Sequence, residues 1–139
     1  MGSYKHIENS IAEYIAGHYT RAVEVGIGRN TVAAEMLTQA GVLLRCTDVK
    51  SLDHPDNLHF SKDDIFDPDY SLYEGADLIY AIRPAIEMIP PLIDIARRVN
   101  CDLIVCHLGF EIYENGGERI DCGVILHRYF KCSEPVKKG

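Results

Sequence analysis

Apolar residues recur along this chain with two spacings, and the change from one to the other predicts the elements. Residues 4–16 carry Ile7, Ile11, Tyr14 and Ile15 on one helical face with polar residues between them, the stripe of an amphipathic helix. Residues 23–26 are a short apolar run suited to a strand. In the helix expected next, Asn30 supplies a side-chain cap, and Val32, Ala33, Met36, Leu37 and Ala40 form the buried stripe. Gly41 ends it as a left-handed residue. Residues 42–47 are apolar nearly throughout, as a strand covered on both faces must be. From 50 to 57 the chain is polar and broken by proline, too short for a crossover helix. Residues 58–60 read as a brief third strand, 63–68 as loop and 76–82 as a fourth strand. Pro90 and Pro91 fit the first turn of a helix that continues through Leu92, Ile95, Ala96 and Val99. Residues 101–108 follow as a fifth strand.

The rhythm then changes. Segments 110–113 and 120–131 flank Glu114-Asn115-Gly116-Gly117-Glu118, which predicts an antiparallel hairpin. The expected architecture is α/β, a mainly parallel sheet with helices on both faces and an antiparallel C-terminal hairpin or edge strand. Two crossover helices are reduced to loops. Residues 133–139 read as a frayed tail, and residues 1–3 as an expression remnant.

Size and charge narrow the function classes. A chain of 139 residues, 47% apolar, supports one domain with a real core. A formal net charge of −7 argues against a surface that embraces duplex nucleic acid. No apolar run approaches the roughly 18–20 residues that span a bilayer. No cleavable leader opens the chain, so the expectation is a cytoplasmic protein. The five cysteines are odd in number and form no C-x-x-C pair, which suits a reduced intracellular protein. Cys106, His107 and Cys122 lack the paired spacing of a structural zinc site, so no metal is expected. A protein partner or a homo-oligomer stays open.

The chemistry concentrates at residues 22–30, Ala-Val-Glu-Val-Gly-Ile-Gly-Arg-Asn. A strand there meets Glu24, then Gly26 and Gly28, then a helix start. Glycines let such a turn adopt conformations that a Cβ forbids and let a ligand approach the main chain. Free N–H groups of the turn and helix are expected to face the same space. Twenty residues beyond Gly28, the second strand ends at Asp48, where a carboxylate can accept hydrogen bonds from a ribose diol. A nucleoside ligand is the reading that follows.

At Glu24-Val25-Gly26-Ile27-Gly28 the chain resembles the first motif of class I S-adenosylmethionine-dependent methyltransferases. The resemblance covers about residues 4–108 and implies a Rossmann-like fold, truncated relative to the full enzymes. It implies that Glu24, Gly26, Gly28 and Asp48 bind S-adenosylmethionine and that Asp64, followed by Ile65, lies beside the adenine. More narrowly, the chain resembles a small archaeal family of methyltransferase-like domains of unassigned activity that share Ile82-Arg83-Pro84 after strand four. The family's third glycine is Asn30 here. Arg83-Pro84-Ala85-Ile86-Glu87 also differs from the Asn/Asp-Pro-Pro-aromatic signature of amine methylation.

Alternatives stand beside this reading. NAD needs a Gly or Ala at the sixth fingerprint position, which is Thr31 here. S-adenosylmethionine carries cationic groups and no phosphate, which suits nearby carboxylates. Arg83 has two readings: pairing with Glu87 or holding its loop, or gripping an anionic acceptor. Glu87 is a candidate base, and His107 ends strand five near the same edge. The function expected is an S-adenosylmethionine-binding, methyltransferase-like protein of unknown acceptor. The alternative is a nucleoside- or NAD-binding module, or a partner subunit, without turnover.

Overall fold

The chain runs α1 (Ser3–His18), β1 (Ala22–Val25), α2 (Val32–Gln39), β2 (Leu43–Asp48), β3 (Phe60–Lys62), β4 (Leu78–Ile82), α3 (Ile89–Val99), β5 (Asp102–Cys106), β6 (Glu118–Asp121) and β7 (Ile125–Phe130). Short 3-10 turns stand at Asp56–Leu58, Tyr70–Leu72 and Ile86–Met88. This computed structural model describes residues 3–133. The expected tail therefore lies, from residue 134 on, outside the described residues, as do residues 1 and 2.

All seven strands join one sheet in the order β3-β2-β1-β4-β5-β7-β6. Strands β1 to β5 pair in parallel, and β7 runs antiparallel to both β5 and β6. Successive side chains in each central strand serve opposite faces. Ala22, Leu78, Tyr80 and Ile104 pack with Ile11, Ile15 and Leu37 of α1 and α2. Val23, Val25, Ile79, Ala81, Leu103 and Val105 pack with Leu92, Ile95 and Ala96 of α3. Both faces are thus buried, which is why these strands read as continuous apolar runs. Helix α3 carries Pro90 and Pro91 in its first turn and stops at Asn100, held at φ 59°. The connections around β3 contain only 3-10 turns, leaving α3 as the sole helix of its face among the described residues.

Two boundaries differ from expectation. The third strand begins at Phe60, because Leu58 is taken into a 3-10 turn and fully buried while His59 adopts φ 52°. The hairpin turn also lies elsewhere. Asp121 pairs with Ile125, and the turn is Cys122-Gly123-Val124, closed by the Cys122 N–H on the Val124 carbonyl (3.0 Å). Gly116 and Gly117 belong instead to a loop over residues 107–117 that lies against β7. A Cβ on Gly117 would collide with the Arg128 carbonyl, so glycine there serves close approach between backbones.

Candidate functional site

The turn after β1 is stitched to the end of β2. Gly26 and Gly28 both sit at positive φ, 71° and 57°, the left-handed region that side chains disfavour. The Gly26 and Ile27 N–H groups donate to the Thr47 carbonyl (2.9 and 3.1 Å). The Gly28 N–H donates to Asp48 Oδ2 (2.9 Å). The amides of residues 26–28, expected to be free for a ligand, are therefore satisfied by β2. Asp48 Oδ1 accepts a further bond from the Lys50 N–H (3.0 Å). A carboxylate offers about four lone-pair sites, so these two bonds fix Asp48 and leave it capacity for two more.

Asp48 lines a cleft of about 500 Å³ at the carboxyl edge of β1, β2 and β4, together with Gly26, Asp63, Asp64, Ile65, Phe66, Arg83 and Met88. This is the edge where open α/β sheets take ligands. Val49 and Phe66, both more than half exposed, give it apolar walls. Asp63 is already engaged, accepting from the Tyr73 hydroxyl (2.6 Å) and the Asp69 N–H (3.0 Å). Asp64 Oδ1 accepts the Phe66 N–H (2.9 Å), and Oδ2 makes no bond to a described residue. Gly28 sits behind Asp48 rather than on the cleft wall. Glu87 is exposed on its 3-10 turn and is not among the lining residues.

Glu24 also lies behind the wall. A mid-strand residue points to a face of the sheet, and Glu24 shares with Tyr80 the face covered by α1 and α2. The Tyr80 hydroxyl donates to Glu24 Oε1 (2.7 Å). Burial raises the Glu24 pKa to about 8, only partly opposed by the Tyr80 bond and reinforced by the charge of Glu8. At neutral pH this residue is therefore mostly a neutral acid.

Sequence reasoning missed Glu8. It is 1% exposed, and its Oε2 accepts from Arg83 Nη1 (3.3 Å) and Asn30 Nδ2 (3.0 Å). Burial pushes its pKa up, against the neighbouring Arg83 charge. Asn30 bridges two elements: its carbonyl oxygen accepts the Val32 N–H (3.3 Å), but the cap position of α2 falls one residue later than expected, on Thr31, which makes no side-chain cap bond. Arg83, at φ 55°, pairs with Glu8 on α1. Among the described residues, no group of three or more His, Cys, Asp or Glu is placed to hold a metal ion.

This architecture can be set beside known proteins. The model of an uncharacterised protein family, UPF0146, matches residues 7–120. The chain belongs to that family. A UPF0146 relative from Archaeoglobus fulgidus is 41% identical over 96 residues, 68% of this chain and 74% of the relative. One from Pyrococcus horikoshii is 33% identical over 126 residues, covering 86% and 96%. Among solved structures, this UPF0146 member is similar to an RNA methyltransferase from Salinibacter ruber in complex with S-adenosyl-L-homocysteine. That likeness has a TM-score of 0.58 and 13% identity and covers 96% of this chain and 95% of the other. The CcbJ methyltransferase from Streptomyces caelestis matches 70% of this chain with a TM-score of 0.50 and 16% identity, and the UPF0146 chain spans half of its length. These likenesses establish a methyltransferase-like fold. No helix of the described residues is long and apolar enough to cross a membrane.

Proposed function

We propose that this UPF0146 chain binds S-adenosylmethionine at the carboxyl edge of β1, β2 and β4 and is a methyl-transfer domain. The observation that carries the reading is that Gly26 and Asp48 share one cleft, with Asp48 fixed and half its acceptor capacity unused. Asp48 accepts the ribose hydroxyls. Asp64 Oδ2 accepts the adenine amino group while Val49 and Phe66 flank the ring. Gly26 gives the methionyl end room against the main chain. Gly28 acts through Asp48, and Glu24 supports the turn from behind.

Main-chain bonding favours this ligand over NAD. A pyrophosphate needs unpaired N–H donors at the turn, and those of residues 26–28 are committed to Thr47 and Asp48. Three aspartates line the cleft, and the Arg83 that joins them is paired with Glu8. Such a lining attracts an ammonium and a sulfonium and repels a diphosphate. Transfer itself asks mainly for alignment of the acceptor with the methyl group, so Arg83 and Glu87 serve at most to border the acceptor. A module that binds without turnover is the second reading, favoured by the missing crossover helices.

Calorimetric titration tests the proposal. S-adenosylmethionine and S-adenosylhomocysteine should bind saturably, and Asp48→Ala should weaken both by at least about tenfold, the loss expected for hydrogen bonds to a charged acceptor. Binding of NAD alone, or unchanged affinity in Asp48→Ala, would refute it.

A further inference from the structure

A second cavity, of about 490 Å³, opens beyond the end of β5. It adjoins the first along the sheet: Ile82 lines one and Cys106 the other, these two residues pair in register, and the Arg83 N–H donates to the Cys106 carbonyl (2.7 Å). Its walls combine apolar and polar groups. Phe110 is fully exposed and Ile112 is 45% exposed, and both line it with His107, Arg119 and His127.

The polar groups converge. His127 Nδ1 lies 2.8 Å from the Gly116 carbonyl oxygen. A carbonyl only accepts, so Nδ1 carries a hydrogen, and in the neutral ring Nε2 is the acceptor, with no described partner. Arg119 stands directly opposite His127 on β6, hence on the same face of the sheet, and forms no ion pair with a described residue. Burial, and after it the neighbouring His127, lowers the pKa of His107, which is held by the Tyr129 hydroxyl (2.6 Å); that hydroxyl also accepts the Tyr113 N–H (2.9 Å). An apolar pocket with a few fixed polar groups is the usual form of a small-molecule site.

We propose that this cavity binds the second reactant, a small aromatic acid bearing a hydroxyl or N–H. Phe110 and Ile112 cover its ring, Arg119 pairs with its anionic group, and the hydroxyl or N–H donates to His127 Nε2. As the acceptor site it rests on the methyl-transfer reading above; as a ligand site it stands alone. Residue-resolved NMR on the full chain tests it with 4-hydroxybenzoate as probe, benzoate and phenol as controls, and S-adenosylhomocysteine as a separate titrant.

The 4-hydroxybenzoate shifts should saturate and centre on Phe110, Arg119 and His127. Benzoate and phenol should each bind at least about fivefold more weakly, since each lacks one polar contact. Arg119→Ala, an exposed edge-strand change, should weaken the probe about tenfold with an unchanged amide fingerprint and unchanged S-adenosylhomocysteine affinity. His127→Ala should abolish the preference for 4-hydroxybenzoate over benzoate. Equal binding of the three aromatics, or no saturable shift at these residues, overturns the proposal even if S-adenosylhomocysteine titrates residues around Asp48. If the aromatic acid binds as described while S-adenosylhomocysteine does not, the cavity stands and the cofactor reading falls.

Discussion

Glu24 and Asp48 are carboxylates on neighbouring strands in very different surroundings. Asp48 is half-buried in the cleft wall and fixed by two amides. Glu24 is enclosed, and burial raises its pKa from 4.5 to about 8. Below pH 4.5 the acid is protonated in folded and unfolded chains alike, and burial carries no ionisation penalty. Between 4.5 and 8 folding must take up a proton, so stability falls as pH rises, by up to about 1.4 kcal/mol per pH unit. Above 8 the loss is complete. Glu24→Gln keeps the acceptor for Tyr80 and should flatten that slope. Denaturant unfolding should find the variant's advantage larger at pH 8.5 than at pH 5; an equal difference at both would contradict the burial argument. Gly28 poses the reverse case, because a Cβ there would make only an ordinary contact with the Gly26 carbonyl oxygen (4.0 Å) and the penalty comes from φ. Gly28→Val should cost ~1–2 kcal/mol of stability yet abolish S-adenosylhomocysteine binding, since straightening the turn withdraws the N–H from Asp48.

At the scale of elements, the antiparallel end of the sheet hangs on Asp102, the first residue of β5. It accepts from the Tyr19 hydroxyl (2.5 Å), Arg128 Nη1 (3.2 Å) and the Cys132 N–H (2.9 Å). Burial opposes its ionisation, but these bonds and the Arg128 charge outweigh burial and hold its pKa below 3.8. The resulting stabilisation is present above that ordinary value and is lost as pH falls through the lowered one. Asp102→Asn should therefore destabilise the chain by ~1–3 kcal/mol at neutral pH and make the acid limb of the stability profile shallower. A variant as steep as the parent below pH 4 would count against this. The elements themselves were largely legible. β1, β2, β4 and β5 are apolar runs bounded by glycine or aspartate, and α3 announces itself by Pro90 and Pro91. The hairpin turn was not, because Asn115-Gly116-Gly117 has turn chemistry and its real constraint, the nearness of Arg128, depends on tertiary packing. Arg83 and Glu8 lie 75 positions apart, and no local pattern reports such a pairing. The position of Glu24 behind the cleft wall was equally hidden, since the motif gives a spacing and the pleat decides which way the side chain points.

For the whole molecule, the decisive property is how donors and acceptors are distributed around one cleft. The glycine-turn amides are consumed internally, while Asp48 and Asp64 retain acceptor capacity. Thermal unfolding with ligand in excess reads this directly, because a ligand that binds only the folded chain adds ~2.7 kcal/mol at a hundredfold excess over Kd. S-adenosylhomocysteine should raise Tm, and NAD and ATP at the same concentration should leave it unchanged. A rise with ATP would mean that phosphate finds donors at the turn after all.

Glu8 links a distant element of the fold to this chemistry. It belongs to the first helix, does not line either cavity, and yet its single carboxylate tethers one loop from each side of the cleft, through Asn30 and through Arg83. A change that displaces that helix would thus slacken both rims at once, so α1 has to be left intact in any variant meant to report on ligand affinity.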